Sequence, residues 1–422
     1  MLLEVDRMTP YDNWRLLASR AKQEIKTKAI VQNNGSSALV QLVDEIIKQA
    51  LFRRASDLHL EPLADAMRLR YRVDGILGED EFKVPREIIP AVISRLKILA
   101  GMDIAKHQPQ DGRLNYVYQE QKIDIRVAMM PTIYGEMAVL RFINGDKMQL
   151  KLSELAFSSN NLIRFRELIT RPSGLVLVCG PMNSGKSTTL YAALAALNTP
   201  ERNIITLEDP VEWQIAGINQ VQLNSAGGLN YVTGLKAALR QDAQIVLLSE
   251  IRDEATAAMA IRMAMTGHLL LSTLHTENAV AAIYRLLEMK VKPYFLEATL
   301  SGVLAQRLLR KLCPHCRQEY KVALNSSEAK ELGNLYEDGM HLWRAVGCDY
   351  CQGSGYYGRL AIHELIEIDA DLREAILLGK SRQQVEHEQK AKGGQDLWQD
   401  GLLKVKQGLT SLAELRRVLY GA

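Results

Sequence analysis

Residues Leu175–Thr189 read LVLVCGPMNSGKSTT, and this stretch decides the fold of the chain. Its first five residues are apolar and favour a β-strand, and a helix-forming run, Leu190–Leu197, follows it. Between them lies a glycine loop of the form GxxxxGK[ST], in the strand–loop–helix order that a phosphate-binding loop requires. A chance match in a glycine turn is the alternative, and the flanking strand and helix argue against it. The stretch therefore predicts a nucleotide site in an α/β domain.

The loop offers several kinds of phosphate ligand. Its backbone N–H groups and the N-terminus of the following helix can bind phosphate oxygens. Lys186 can reach the β- and γ-phosphates, and Ser187 can ligate Mg²⁺. We expect the nucleotide to contact Gly180, Pro181, Met182, Asn183, Ser184, Gly185, Lys186, Ser187 and Thr188.

Composition narrows the class of protein. The chain has 422 residues, which is too long for one domain, and a net charge of +3 gives no support to a general nucleic-acid-binding surface. No apolar run approaches the length of a membrane span, and acidic residues stand near the N-terminus where a signal peptide would be basic. We therefore expect a cytoplasmic protein whose five cysteines serve as thiols or metal ligands.

The pattern along the chain predicts separate regions. A short helical segment at 1–52 precedes an α+β lobe at 53–145, and a polar linker at 146–157 leads to a second lobe at 158–422. Apolar strands in that lobe indicate a mostly parallel sheet flanked by helices, and we expect them at 175–179, 203–207, 218–222, 244–248 and 268–273. The last hundred residues are predicted to be helical, apart from a cysteine-rich insertion at 313–351.

Carboxylates that could hold Mg²⁺ or orient water follow two of these strands. Glu208, Asp209 and Glu212 come after the first, where any of them could bind the ion or merely brace the loop. Glu250 comes directly after the strand at 244–248, at the sheet edge where open α/β sheets bind ligands. We expect Glu250 to polarise the attacking water. A solvated loop carboxylate is the alternative for it.

Histidines stand at both ends of a third strand. In the stretch Thr266–Thr276, His268 lies near the beginning and His275 lies near the end. A neutral imidazole can sense the γ-phosphate or hold an acidic side chain, although a histidine beside an apolar strand is more often structural. His275 is the stronger functional candidate of the two.

Two CxxC pairs predict a metal site. Cys313 and Cys316 form the first pair, and Cys348 and Cys351 form the second. Four thiolates suit tetrahedral Zn²⁺ and leave no open position, so the site is expected to be structural, with a redox pair as the rival. A basic stretch beside the first pair is either a solvated face or a docking surface for an acidic partner, and it comprises Arg307, Arg310, Lys311 and Arg317.

The chain as a whole resembles the type II secretion and type IV pilus assembly ATPases of the secretion ATPase superfamily. The resemblance covers roughly residues 40–420. In the N-terminal lobe it rests on the segments 54–62, 70–75, 109–113 and 131–136. In the ATPase lobe it rests on the aspartate box 207–212, the Walker B end 250–253, the histidine box 266–276 and the tetracysteine pair.

The resemblance implies a fold and an assembly. The fold is a RecA-like P-loop ATPase core preceded by an α+β PAS-like domain, with a small zinc-binding insertion and a helical C-terminus. The assembly is a homohexamer that binds ATP, Mg²⁺ and Zn²⁺. ATP would bind between the lobes, and arginines of the N-terminal lobe would reach the phosphates. By motif position these are Arg113, Arg126 and Arg141.

The resemblance also implies a task and partners. Hydrolysis would drive pilus or pseudopilus assembly or type II secretion, through an inner-membrane platform protein and a membrane-associated adaptor. The chain would be cytoplasmic, peripheral to the inner membrane, and without direct contact to nucleic acid. A motor for DNA uptake or conjugation and a non-hydrolysing scaffold remain alternatives; Ser249, beside Glu250 where glycine is common, motivates the second.

Overall fold

Residues 10–27, 37–143 and 151–421 are described by the computed structural model. By their contacts they divide into two units, Met1–Met148 and Gln149–Ala422. Of the predicted linker at 146–157, residues 146–150 lie outside the described residues. Of the predicted helical segment at 1–52, residues 1–9 and 28–36 also lie outside the described residues.

The first unit joins helices to an antiparallel sheet. Its elements in chain order are α1 (Pro10–Thr27), α2 (Ala38–Phe52), β1 (Asp57–Pro62), β2 (Ala66–Val73), β3 (Ile76–Pro85), α3 (Ile89–Leu99), β4 (Gln110–Tyr118), β5 (Gln121–Thr132) and β6 (Gly135–Ile143). Within the described part of this unit, six strands pair in the order β3-β2-β1-β6-β5-β4. Period-two burial in β2 alternates Arg68, Arg70 and Arg72 with the core residues Leu69 and Tyr71, as the sequence alternation predicts.

The second unit begins with the strand that opens the nucleotide motif. Its first half contains α4 (Ser159–Ile169), β7 (Gly174–Cys179), α5 (Lys186–Leu197), β8 (Ile204–Glu208), β9 (Asn219–Gln222), α6 (Tyr231–Ala238), β10 (Ile245–Leu248), α7 (Glu254–Met265) and β11 (Leu269–Leu274). Each of the five predicted strands is present within one residue of its expected bounds.

The second half of this unit departs from the sequence expectation. It contains α8 (Ala279–Glu288), α9 (Pro293–Thr299), β12 (Leu300–Leu312), β13 (Gln318–Lys321), α10 (Ser327–Leu332), β14 (His341–Arg344), β15 (Tyr356–Glu367), α11 (Ala370–Leu377), α12 (Arg382–Ala391), α13 (Leu397–Lys406) and α14 (Leu412–Tyr420). Helices do fill most of 370–420. The expectation that the last hundred residues are helical outside the cysteine-rich insertion is wrong for β15, and β12 was not foreseen at all.

The two long strands complete the sheet that carries the nucleotide motif. Among residues 151–421, seven strands form a sheet in the order β15-β12-β7-β11-β10-β8-β9, parallel except for the antiparallel pair β12–β15. Alternate residues of β7 enter two different hydrophobic clusters, one on each face of the sheet: Leu175 and Leu177 in one, Val176 and Val178 in the other. Because both faces are covered, β7 is apolar throughout rather than alternating.

Candidate functional site

The phosphate loop leaves β7 at Cys179 in a conformation that requires its glycines. Gly180 has φ +153° and Gly185 has φ +89°, values that favour glycine. A Cβ atom on Gly180 would lie 2.5 Å from the backbone oxygen of Gln306, on β12. Helix α5 begins directly after Gly185, so its N-terminal turn faces the loop. The strand, loop and helix therefore meet in the arrangement that the motif predicts.

Lys186 is largely buried at the start of α5. Its ammonium donates hydrogen bonds to the carbonyl oxygens of Gly180 and Pro181, each at 2.9 Å. Burial is the main cause that lowers the pKa of Lys186 to about 8. Ser187 is exposed on the same turn, so its hydroxyl is available to a ligand.

The two candidate carboxylates after β8 have different environments. Glu208 is buried, and its Oε1 accepts hydrogen bonds from Thr206 Oγ1 at 2.6 Å and Gln220 Nε2 at 3.2 Å. Its Oε2 accepts a hydrogen bond from the Tyr191 hydroxyl. Asp209 is 44% exposed in its side chain, 3.8 Å from Arg252. Oxygen ligands such as those of Ser187 and Asp209 suit Mg²⁺, whereas both oxygens of Glu208 are already engaged.

Glu250 follows β10 and meets His275, which follows the neighbouring strand β11. The Oε2 atom of Glu250 lies 3.4 Å from Nε2 of His275, and its Oε1 pairs with Nε of Arg252. Burial and the charges of Lys186 and Arg252 lower the pKa of His275. Parallel pairing of β8, β10, β11 and β7 brings all these side chains to one edge of the sheet.

His268 lies at the opposite end of β11 from His275. Its Nδ1 is 3.1 Å from the carbonyl oxygen of Met263 and 3.1 Å from the hydroxyl of Thr266, both at the end of α7. These bonds fit a structural role for His268. The strand thus separates the two histidines, and the structure brings only His275 to the phosphate-loop edge.

The three candidate arginines of the first unit lie in one row across its sheet. Arg113 pairs with Arg126 across β4 and β5, and Arg126 pairs with Arg141 across β5 and β6. The row continues to Asp57, whose Oδ1 accepts a hydrogen bond from Arg141 Nε at 2.9 Å, and to Arg72. Like charges directly opposite each other in a sheet are unfavourable, so this row concentrates positive charge at a cost in stability.

The four candidate metal ligands converge. Among the described residues, the sulfur atoms of Cys313, Cys316, Cys348 and Cys351 lie within 4.8 Å of one another. Three of the separations are 3.9, 3.7 and 3.7 Å. A tetrahedral zinc with Zn–S bonds of about 2.3 Å places its sulfurs about 3.8 Å apart. Backbone N–H groups of Gly347 and Gly355 also point at cluster sulfurs, at 3.3 and 3.2 Å, so the donor set fits Zn²⁺.

Comparison with known protein families shows the family to which this chain belongs. The family model described as "Type II/IV secretion system protein" matches residues 32–417. The chain belongs to this family. The resemblance stated from the motifs is therefore confirmed.

Individual relatives agree with the family match. The chain is 40% identical to "Type II secretion system ATPase E" of Vibrio cholerae, over 95% of this chain and 79% of that protein. It is 42% identical to "Type IV pilus assembly ATPase PilB" of Thermus thermophilus, over 90% of this chain but 43% of that protein, so it spans less than half of that relative. These names assign the chain to a family of ATP-hydrolysing secretion and pilus-assembly proteins, for which ATP and Mg²⁺ are implied.

A solved structure supports the fold. The "X-ray structure of the Legionella pneumophila ATPase DotB" matches with a TM-score of 0.65 and 20% identity, covering 90% of this chain and 96% of that one. At this identity the likeness concerns the fold alone. The mixed α/β fold with a parallel sheet core is therefore confirmed. Among the described helices, none is both long and apolar enough to cross a membrane.

Most side chains of the basic stretch beside the first cysteine pair form hydrogen bonds or ion pairs within the chain. Arg310 is paired with the buried carboxylate of Glu414 at 2.7 Å, and Arg317 donates to the carbonyl oxygen of Gly408 at 2.6 Å. Arg307 also donates to backbone carbonyls, while Lys311 is exposed. Three of its four side chains therefore make contacts within the chain, and the docking surface stays a prediction.

Sequence reasoning missed Gln306, which contacts the phosphate loop. Its amide bonds Ser184 and Thr189 from β12. The only sequence signal is a polar residue inside an apolar run, and no strand is predicted from that run. Without the knowledge that β12 lies beside β7, nothing in the sequence connects Gln306 to a loop more than 120 positions earlier.

Proposed function

We propose that this chain is a motor ATPase that converts ATP hydrolysis into pilus or pseudopilus assembly or type II protein secretion. The observation that carries the proposal is the meeting of Lys186, Glu250 and His275 at one edge of the parallel sheet. The names of the relatives indicate pilus assembly or type II secretion as the process. The sequence motifs indicate ATP binding and hydrolysis as the chemistry.

The phosphates would be held by the loop itself. Backbone N–H groups of residues 182–187 and the N-terminus of α5 would donate hydrogen bonds to the phosphate oxygens. The Lys186 ammonium would exchange the carbonyls of Gly180 and Pro181 for phosphate oxygens. Because the negative charge of a bound triphosphate favours the charged amine, it would raise the pKa of Lys186 and so oppose the lowering that burial causes.

Mg²⁺ would be held by Ser187 and Asp209 rather than by Glu208. The hydroxyl of Ser187 and the carboxylate of Asp209 are exposed, whereas three donors occupy Glu208. The ion would neutralise charge on the phosphates. Glu208 would instead brace the aspartate box from within.

Glu250 would orient the attacking water, and His275 would respond to the γ-phosphate. Arg252 now holds one oxygen of Glu250, so the second oxygen, which faces His275, is the one available to accept a hydrogen bond from water. Because its pKa is lowered, His275 is neutral near pH 7 and can either donate or accept a hydrogen bond.

The arginine row would supply positive charge to the triphosphate, from the same chain or from a neighbouring copy. We further propose a homohexamer, the assembly that the motif resemblance implies. Its partners would be an inner-membrane platform protein and a membrane-associated adaptor. The chain would lie in the cytoplasm, peripheral to the inner membrane.

The test measures phosphate release by the purified, zinc-loaded full chain, with wild type and Lys186→Ala side by side. We expect wild type to hydrolyse ATP and the variant to lose turnover together with pilus or secretion output in cells. Added DNA should leave the rate unchanged. A wild-type protein that binds ATP but releases no phosphate under any partner or lipid condition would refute the proposal.

A further inference from the structure

Gln306 occupies a buried position at the point where β7 becomes the phosphate loop. Strands β12 and β7 are parallel, and Ala305 pairs with Cys179, so Gln306 lies beside Gly180. Its side chain is 2% exposed. A buried amide must find partners for both of its ends, and the identity of those partners shows what it holds.

Both ends of this amide are bonded to the nucleotide motif. Nε2 of Gln306 donates to the carbonyl oxygen of Ser184 at 2.8 Å, and Oε1 accepts from the hydroxyl of Thr189 at 2.7 Å. The orientation of the amide is fixed by chemistry, because a carbonyl oxygen can only accept. One side chain therefore ties the loop to the first turn of α5.

The two glycines of the motif make this approach possible. A Cβ on Gly180 would lie 2.5 Å from the Gln306 backbone oxygen, and a Cβ on Gly185 would lie 2.6 Å from its Nε2. The sequence pattern assigns these glycines to phosphate binding. The structure adds a second reason for them, which is contact with Gln306 from behind the loop.

The next residue, Arg307, connects Gln306 to the loop that follows β11 and carries His275. Arg307 donates to the carbonyl oxygen of Gln306 at 3.0 Å and to that of Glu277 at 2.6 Å. Glu277 lies two residues after His275. The segment 306–307 thus contacts both loops at this edge of the sheet.

We propose that Gln306 is a positioning residue that holds the phosphate loop and the start of α5 in the one conformation that accepts a triphosphate. The proposal rests on the function proposed above, that this loop binds ATP. The side-chain hydrogen bonds of Gln306 join it to Ser184 and Thr189, and not to Glu250 or His275. Its loss should therefore weaken nucleotide binding far more than the chemical step.

The experiment compares steady-state ATP hydrolysis and nucleotide binding for wild type, Gln306→Met, Thr189→Val and Thr189→Ser. Met keeps the volume of Gln306 and removes both hydrogen bonds, so KM and Kd for ATP should rise roughly tenfold while kcat changes less than about threefold. Thr189→Val should raise KM less, because it removes one bond. Thr189→Ser, which keeps the hydroxyl, should restore wild-type values.

Two further variants separate positioning from general damage. Gln318→Met makes the same substitution at a glutamine that contacts Arg344 on the β13–β14 pair, and it should leave KM unchanged. In Gln306→Met/Thr189→Val, the effect of Thr189→Val should vanish, because its partner is already gone. Melting temperatures and bound zinc report on the fold.

The outcomes are distinguishable. If wild type neither binds nor hydrolyses ATP, the proposed function fails and this proposal fails with it. If wild type is active and Gln306→Met has the same KM, the positioning role alone is refuted. Should Gln306→Met not fold, the threonine pair decides: equal KM values for Thr189→Val and Thr189→Ser refute the role, and a higher KM for the valine variant supports it.

Discussion

The Oε2 atom of Glu250 lies 3.4 Å from Nε2 of His275, and this contact joins the ends of two neighbouring parallel strands. The carboxylate is also bound by Arg252. A carboxylate that faces a neutral imidazole at the ligand edge of the sheet can accept a hydrogen bond from water. This geometry leads to the first prediction.

Glu250→Gln should abolish turnover and leave ATP binding intact. The amide keeps the shape of the side chain but is a far weaker proton acceptor, so kcat should fall by roughly a hundredfold or more. Glu254→Gln is the matched control, because Glu254 pairs with Lys290 on the exposed side of α7. Phosphate release and equilibrium nucleotide binding measure the two effects. Wild-type turnover in Glu250→Gln would exclude Glu250 from the chemistry.

ATP affinity should decline above about pH 8. The pKa of Lys186 is lowered to about 8, chiefly by burial. Below that pH the free protein already carries the ammonium that a triphosphate favours. Above it, binding must take up a proton, so the affinity should fall by up to about tenfold per pH unit.

The measurement is the dissociation constant for ATP between pH 7 and pH 9.5. Lys186→Ala should bind weakly at every pH and show no such decline. A flat wild-type profile up to pH 9.5 would mean that the charge of Lys186 does not govern binding.

Glu208 and Asp209 should behave differently when neutralised. Glu208 accepts from Tyr191, Thr206 and Gln220 inside the protein, so Glu208→Gln places a donor against donors. That change should cost about 1–3 kcal/mol of folding stability. Asp209→Asn should leave the melting temperature unchanged and raise the Mg²⁺ concentration for half-maximal turnover. The reverse pattern would make Glu208 the metal ligand.

Strands β7, β8, β10 and β11 were predictable from the sequence because they are short, mostly apolar runs that end at polar or glycine-containing loops. The strand β12 was not, because LSGVLAQRLLRKL spaces its arginines as a helix would. In the structure both arginines find partners outside the strand: Arg307 donates to the carbonyl oxygen of Glu277, and Arg310 pairs with Glu414. Partners that lie about 30 and 100 residues away leave no trace in a local pattern.

The alignment of the candidate arginines across the sheet could not be predicted from the sequence either. Motif position selects Arg113, Arg126 and Arg141, but only strand register shows that they are direct neighbours. Register depends on hairpin geometry and on which face is buried, and neither can be counted along the chain.

Arg113→Gln should reduce turnover without reducing stability. Arg113 is exposed and lies opposite Arg126, so its removal relieves repulsion within the row. The melting temperature should stay equal or rise slightly while kcat/KM falls roughly tenfold or more. Lys122→Gln, which removes an exposed cation on β5 outside the row, is the control. Unchanged hydrolysis in Arg113→Gln would remove this arginine from the site.

Chelation should expose four reactive thiols and leave a fifth protected. The sulfurs of Cys313, Cys316, Cys348 and Cys351 have the spacing of a zinc site, so the chain should purify with one Zn²⁺. Cys179 is buried in β7, and burial raises its pKa to about 12, so at pH 7.5 its thiol should react only after unfolding. Cys316→Ser should lose the zinc and lower the melting temperature, whereas Cys179→Ala should keep it. Five fast-reacting thiols in the folded, metal-loaded protein would contradict both assignments, since a thiolate bound to zinc and a neutral buried thiol are each poor nucleophiles.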